Sequence, residues 1–597
     1  MRRKHIDTIP TQHALLVAWG EYGQVIGVPA SLAQVGLQQQ TREHTPHSKV
    51  KELLVATMGG LPYLQDISRS AHPLDQDRAV AQAWGEKKWA DYSGVSRMLQ
   101  GLTLEESQAV IGCLQAVSQP FIDQEVALAD AQEGRVVLDG DLTGIPVSKS
   151  SHTYPDTAFG FMDDEIRLGY QAAVVSLRSV TYGRMWLSIE HKPGNTLSCT
   201  QAEGLVKAAE AALRRRPRRR TELLAQRVEQ LTQAGEAYRQ HLQRKQARLE
   251  ALRACEQETE RMRQTLECEL QSLEQAYPAK QRCEHPTGQL ALLRERLAVY
   301  QRRLIRNQRT VLQAEARLAC VQRRQAEQDE QLRLLQVRLV CFQQENETNP
   351  HPLSAVIRLD GGFGTWDNLA LLIEMGYEVY TKAFNHETLR VLFRQFEAVE
   401  GWQSVGAGVE MLGHAAQAPH KFCYPLDIGL ERFTTSEGQL KKGAMLHFGT
   451  DPITQNVQRW FDFYNGRQSI EAGIKESKRI FYLHRLKVRS LPAILLQEHC
   501  VLFAANFIRW ANTWLMQHAS GSAKPKLDQS RVGMKHLVQV AAHTSANVIW
   551  YSDGCLLRFS DLSLLAGKEL FLPTSSAHKQ NGSRKSCFFH GFRRFAK

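Results

Sequence analysis

The period of apolar and polar residues changes several times along the 597 residues, and the changes divide the chain into five stretches, 1–130, 131–212, 213–346, 347–485 and 486–597. In the first, apolar side chains recur every three or four positions over Leu15–Val28, Val50–Leu64 and Leu104–Val117. That spacing predicts a helical N-terminal domain, with Pro29 ending the first helix. The turn from Asp91 to Arg97, before Val95, Met98 and Leu99, reads either as the opening of a short DNA-recognition helix or as an ordinary serine-capped helix start.

The second stretch switches to strand character. Arg135-Val-Val-Leu-Asp-Gly-Asp-Leu-Thr143 begins as a β-branched run and ends in acids. Tyr170–Leu177 and Arg184–Glu190, separated by Tyr182-Gly183, predict a hairpin that Pro193–Thr196 closes as a turn. From 221 to 344 the steps between apolar positions alternate three and four, as a coiled-coil seam requires. The seam runs from Leu224 to Tyr277 on one arm and from Leu290 to Phe342 on the other, with prolines and a glycine between the arms. Near-equal arms predict a long antiparallel hairpin, each arm roughly 80 Å long. Its central breaks fall at Lys245, Glu256 and Arg263.

After 345, strand and helix mix again. Ala355–Asp360 is another apolar run ending in an acid, Trp366–Met375 predicts a helix and Tyr377–Lys382 a strand. Val457 to about Arg479 predicts one helix carrying a third acid, and Pro492–Met516 a long apolar one before a short strand-bearing tail.

Length implies more than one core. A net charge of +12 favours a polyanionic partner, most simply nucleic acid. The eleven cysteines form no Cys-x-x-Cys pair and no zinc spacing, which reads as reduced thiols. The most apolar stretch, Leu491–Trp510, is broken by Gln497, Glu498, His499 and Arg509, so no membrane span and a cytoplasmic location are expected. Asp360-Gly-Gly-Phe-Gly364 lacks the Lys-Ser/Thr of a phosphate loop, no Gly-x-Ser-x-Gly elbow occurs, and His44 and His47 have no obvious third ligand.

Asp141 and Asp360 each close a short apolar run, which predicts a position at the edge of a buried sheet. Glu471 sits in a helical segment, Tyr464-x2-Arg467-x3-Glu471-x6-Lys478, whose spacings predict one shared face. Three carboxylates brought together offer the oxygen-only donor set suited to Mg²⁺, and an arginine and lysine beside them suit a phosphate backbone. Asp139 and Asp141 share a strand face, and either is a candidate ligand.

This signature resembles that of DDE transposases of the IS-four-like insertion-sequence type. Asp139-Gly-Asp141-Leu-Thr143 is similar to their first-aspartate motif, whose acid-x-Thr spacing favours Asp141, and Arg358-Leu-Asp360-Gly-Gly-Phe363 to their second. Gly169-Tyr170, Pro193–Thr196 and Ser93–Arg97 add local similarity, and the resemblance spans roughly residues 40–205 and 350–515. It implies an α/β, RNase H-like catalytic core with Asp141, Asp360 and Glu471 as catalytic and metal-binding residues. Two Mg²⁺ ions (Mn²⁺ as a substitute), double-stranded DNA as transposon ends and target, and a homodimer in the active complex come with it. Tyr464, Arg467 and Lys478 would hold DNA-end phosphates, with Lys475 and Lys382 as further candidates. The relatives commonly carry an insertion between the second acid and the glutamate. Here the coiled coil lies between the first two acids, where removing it leaves a reasonable RNase H-like spacing. Arg214–Arg220 reads as a DNA grip or a basic linker. The competing functions are a non-enzymatic architectural DNA-binding protein assembled through the coiled coil, and a domesticated transposase-derived nuclease.

Overall fold

The computed structural model describes residues 5–39, 43–150, 153–276, 288–420, 422–434, 438–453, 456–522, 533–560 and 568–573. They form two compact units, one of 1–218 with 351–597 and the other of 219–350. Tyr277 and the predicted break between the arms up to residue 287 lie outside the described residues.

The first unit opens with a strand that the helical pattern hid, β1 (His5–Thr11). Helices α1 (Ala14–Val25), α2 (Val28–Leu32), α3 (Pro46–Met58), α4 (Asp66–Arg69), α5 (Arg78–Ala83), α6 (Tyr92–Gln100) and α7 (Leu104–Glu133) follow. Pro29 does not end α1. The helix stops at Val25, Gly27 takes a left-handed φ of 78°, and Pro29 sits in the first turn of α2, where its missing N–H costs nothing. Asp91, not a serine, caps α6, and Val95, Met98 and Leu99 are buried against the unit. Helix α7 runs well past the predicted Val117, through Pro120, and starts with a complete Thr103–Glu106 capping box.

The large sheet then begins with β2 (Val136–Pro146), β3 (Ala158–Met162), β4 (Glu165–Ser179) and β5 (Gly183–Pro193), followed by α8 (Ala202–Leu213). Strands β4 and β5 make the predicted hairpin, and Thr196 N–H donates to the Pro193 carbonyl at 3.0 Å to close the next turn. In the second unit lie α9 (Thr221–Ala276) and α10 (Gly288–Glu347). Back in the first unit come β6 (Ala355–Arg358), α11 (Trp366–Glu374), β7 (Glu378–Lys382) and α12 (His386–Phe396). Four antiparallel strands not foreseen from the sequence follow, β8 (Gln403–Gly406), β9 (Val409–Gln417), β10 (Leu426–Thr434) and β11 (Leu440–Phe448). The predicted helix from Val457 is two helices, α13 (Val457–Asn465) and α14 (Gln468–Arg479), parted at Gly466-Arg467.

The ten strands β2–β11 form one mixed sheet. Its middle reads β5-β4-β2-β6-β7, with β6 and β7 parallel to each other and to β2, and β4 and β5 antiparallel. Strand β7 passes the sheet on to β11, and β10, β9 and β8 complete it. Gly140 turns toward Leu205 of α8, so its neighbours Asp139 and Asp141 face the other way, where α14 packs on β2.

The last elements among the described residues are α15 (Leu491–His518), α16 (Met534–Gln539) and β12 (Ala546–Tyr551), β13 (Gly554–Phe559) and β14 (Glu569–Pro573). A second sheet of order β1-β12-β13-β14 joins the first of the described strands to the last three of them. Helix α15 is long and apolar enough to cross a membrane, but 78% of its apolar window is buried among other elements, as in a core helix.

Within the second unit α9 and α10 run antiparallel. Arg253 meets Glu315, Thr259 meets Asn307, and Glu274 meets Arg294. The buried side chains of α9 are Leu224, Gly235, Leu249, Thr259 and Leu266, and those of α10 are Leu290, Val311, Leu335 and Phe342. All nine are seam positions. Thr259, a polar position on that seam, is buried because Asn307 donates to its hydroxyl at 2.9 Å.

Candidate active site

Strand β2 is apolar up to Leu138 because it is buried on both faces, and it then carries two acids of different fate. In the parallel register Asp139 lies beside Arg358, the last residue of β6. Arg358 grips both carboxylate oxygens of Asp139, at 2.6 and 2.8 Å, and both side chains are almost wholly buried. Asp141 lies beyond the end of that pairing. It is not at a strand end as expected, since β2 continues to Pro146, but it is past the end of its neighbour β6.

Asp360 follows β6 directly. Its carboxylate accepts the Gly362 N–H at 3.0 Å and caps a single 3-10 turn, Gly361–Phe363. That turn presses so closely on the end of β7 that Gly364 has no room for a side chain against the Lys382 carbonyl.

Glu471 is carried by α14, which is held from three sides. Arg358 donates to the Phe463 carbonyl at the end of α13. Arg184 of β5 donates to the Ser469 carbonyl. Glu476 accepts from Arg184 at 3.5 Å and from Arg509 of α15 at 2.8 and 2.9 Å. Gly473 is the residue that lets the helix lie over the Arg184 guanidinium, which a β-carbon would strike. Burial, and then the neighbouring Arg509, pull Arg184 down to about 10.

Two of the acids bond to Arg467, and Asp360 lines one cavity with Arg467 and Glu471. The Arg467 guanidinium donates to Glu471 at 2.5 Å and to Asp141 at 3.4 Å. Burial, and then Asp360, push the Asp141 carboxyl up to about 7 against the pull of Arg467 and the Leu142 N–H. Asp360 is also raised, by burial above all, with Glu471 adding to it. For Arg467 burial acts downward, but Tyr464, Asp141, Glu471 and Asp360 together leave it above its ordinary value. The carboxylates therefore sense one another, and one guanidinium only partly balances them. Asp360, Lys382, Tyr464, Arg467 and Glu471 line a cavity of about 230 Å³. A larger cavity of about 380 Å³ between α7, α8 and β5 has Glu190 as its one acid and holds no such convergence.

The other predicted residues are placed unequally. Tyr464 is buried on α13, its hydroxyl donating to the Leu359 carbonyl at 3.1 Å, so it does not share one continuous helical face with Glu471. Lys382 donates to Glu431 at 3.1 Å and stands 6.0 Å from the Tyr464 ring. Lys478 donates to Asp163 of the β3–β4 turn at 3.3 Å, while Lys475 is exposed. In the basic run, Arg219 is buried and paired with Glu345 at 2.5 Å, which fits a structural linker better than a DNA grip. The positioning residues Arg184, Arg358, Glu476 and Arg509 were missed from the sequence. The available signal was a charged residue inside an apolar run, as with Arg358 in β6 and Arg509 in α15.

No family model and no curated protein matches this chain. Among the described residues no three His, Cys, Asp or Glu side chains stand close enough to share a metal ion, and the cation between Asp141 and Glu471 is Arg467 itself. The donor chemistry nevertheless fits a hard divalent ion. It is all carboxylate oxygen, mutually destabilised, beside a polar cavity.

Proposed function

We propose that this protein is a DDE-type transposase, acting on DNA phosphodiesters through Asp141, Asp360 and Glu471. The observation that carries the reading is the convergence on Arg467 of acids from β2, from the turn after β6 and from α14, elements 219 and 111 residues apart in sequence. The strand order β5-β4-β2-β6-β7, with helices packed on both faces, supports an RNase H-like core. The second unit is then an antiparallel coiled-coil hairpin inserted between the first two acids, supported by burial confined to the seam positions.

In this reading Asp141, Asp360 and Glu471 would hold Mg²⁺, which when bound supplies activation of a water or 3′ hydroxyl and stabilises the leaving oxygen. The chain's own groups do the rest. Arg358 neutralises Asp139 and keeps that acid out of the site. Arg184 and Arg509 hold α14, and with it Glu471, in register. Arg467 tethers Asp141 and Glu471 to each other and lines the cavity, where it can meet a phosphate. Lys382, kept by Glu431 at the cavity wall, adds positive charge opposite it.

The test is purified protein with DNA bearing the element's terminal repeats and Mg²⁺. Strand cleavage lost in each of Asp141→Ala, Asp360→Ala and Glu471→Ala, with folding retained, is the expected result. Cleavage that persists in all three rules the assignment out.

A further inference from the structure

Downstream of Glu471 the charge balance changes. Glu476 is the last acid before Glu498, and the residues between include Lys478, Arg479, His484, Arg485, Lys487 and Arg489. Two of these cations are occupied. Lys478 meets Asp163, and Lys487 donates to the Leu61 carbonyl at 2.9 Å. Among the described residues Arg479, Arg485 and Arg489 have no carboxylate partner, and neither does Lys475 one turn after Glu471. Two other surface arginines, by contrast, are paired, Arg178 with Glu133 and Arg432 with Glu410.

Two of the free guanidiniums are stacked rather than loose. Arg485 lies 4.9 Å from the ring of Tyr63 and 4.9 Å from that of Tyr482. Arg489 lies 5.5 Å from the Tyr154 ring and donates to the Thr153 hydroxyl at 2.8 Å. Stacking orders the planar fork while leaving N–H groups on its edge unspent, the state in which arginine grips phosphate at small entropic cost. Arg479 sits about 12 Å along the axis of α14 from Glu471. The free cations thus begin at the acids and lead away from them.

We propose that Lys475, Arg479, Arg485 and Arg489 form a track for the phosphate backbone of duplex DNA, leading to the cavity beside Glu471. The occupant is a duplex because the charge is unneutralised and spread over the last turn of α14 and the ten residues after it, and the track ends at carboxylates suited to phosphodiester chemistry. This inference rests on the transposase reading and extends it to how the substrate is held.

The experiment is fluorescence anisotropy of the full chain with a 40-base-pair duplex over a range of salt concentrations, without divalent metal. Each phosphate contact removed lowers the slope of log K against log salt by about 0.9. For R479E/R485E/R489E the expected result is a slope about 3 smaller and at least a hundredfold weaker binding at 0.15 M salt. Binding and slope within twofold of wild type overturn the proposal. Should the triple variant fail to fold, R479A/R489A, at exposed positions, is read the same way with a slope change of about 2. An equal loss of binding to polyglutamate overturns the assignment to nucleic acid. Cleavage keeps the two readings apart. Triad-dependent cleavage with unchanged binding in the variants sinks the track alone, whereas impaired binding without cleavage by the wild type sinks the transposase reading alone.

Discussion

Asp141→Asn tests the electrostatics of the site without reference to catalysis. Burial, with Asp360 beside it, raises the Asp141 carboxyl from an ordinary 3.8 to about 7. A raised carboxyl means that the folded chain holds its proton more tightly than the unfolded chain does. Below pH 3.8 both states are protonated and nothing is lost. As pH rises toward 7 the unfolded chain ionises first and folding weakens, until above 7 the full cost is present. At roughly 1.4 kcal/mol per pH unit, that cost is about 1–2 kcal/mol at pH 5 and about 4 kcal/mol at pH 8. Asparagine fills the same space without the charge. With chelator present, Asp141→Asn is therefore expected to be more stable than wild type, by a margin that grows from pH 5 to pH 8 by about 2–3 kcal/mol. The assay is urea unfolding followed by tryptophan fluorescence at the two pH values. Adding Mg²⁺ at pH 8 should narrow the margin, since only the wild type keeps its full donor set. A margin equal at both pH values, or a variant less stable at pH 8, would refute the reasoning.

Asp139, two residues away, is held by a buried ion pair with Arg358. Arg358→Ala leaves that buried carboxylate unpaired and is expected to cost about 3–5 kcal/mol of stability in the same unfolding assay; a loss under 1 kcal/mol would contradict a structural ion pair. Gly473→Ala sets a methyl against the pinned Arg184 guanidinium, with an expected loss of about 1–3 kcal/mol by thermal or urea unfolding, and an unchanged midpoint would count against that packing. Arg467→Gln removes the cation that joins Asp141 and Glu471, so Mn²⁺ binding measured by electron paramagnetic resonance should tighten about tenfold at low salt, as loss of one like charge nearby predicts. Weaker Mn²⁺ binding in that variant would show that the tether between Asp141 and Glu471 outweighs the repulsion between Arg467 and the metal ion.

Local periodicity made much of this protein legible. The alternation of three and four positions named in advance the residues that are buried in α9 and α10, because a seam on a helix depends only on spacing along one chain segment. Strands β4, β5, β6 and β7 were visible for the same reason, each being a short apolar run bounded by turn residues. The antiparallel strands β8–β11 were not, since half-exposed strands with charged positions such as Lys441, Lys442 and Glu410 carry a weak alternation. Gly466-Arg467 broke a helix that spacing alone draws as continuous, and it did so where Arg358 crowds the backbone.

What the sequence could not decide is which neighbour each residue meets. Asp139 and Asp141 are the same residue type on the same strand face, and only the parallel register with β6 sets Arg358 against one and leaves the other to Arg467. Tyr464 has the spacing of a surface ligand, yet the turn between α13 and α14 sends it into the core. Strand β1 pairs with β12, more than 500 residues later, and nothing in its own seven residues names that partner. Periodicity is a property of one segment, whereas burial and ion pairing depend on two or more segments closing together. The sequence therefore determined the strongly periodic elements and the residue types on them, and the tertiary structure decided that Asp141 and Glu471 meet Arg467 while Asp139 is held by Arg358.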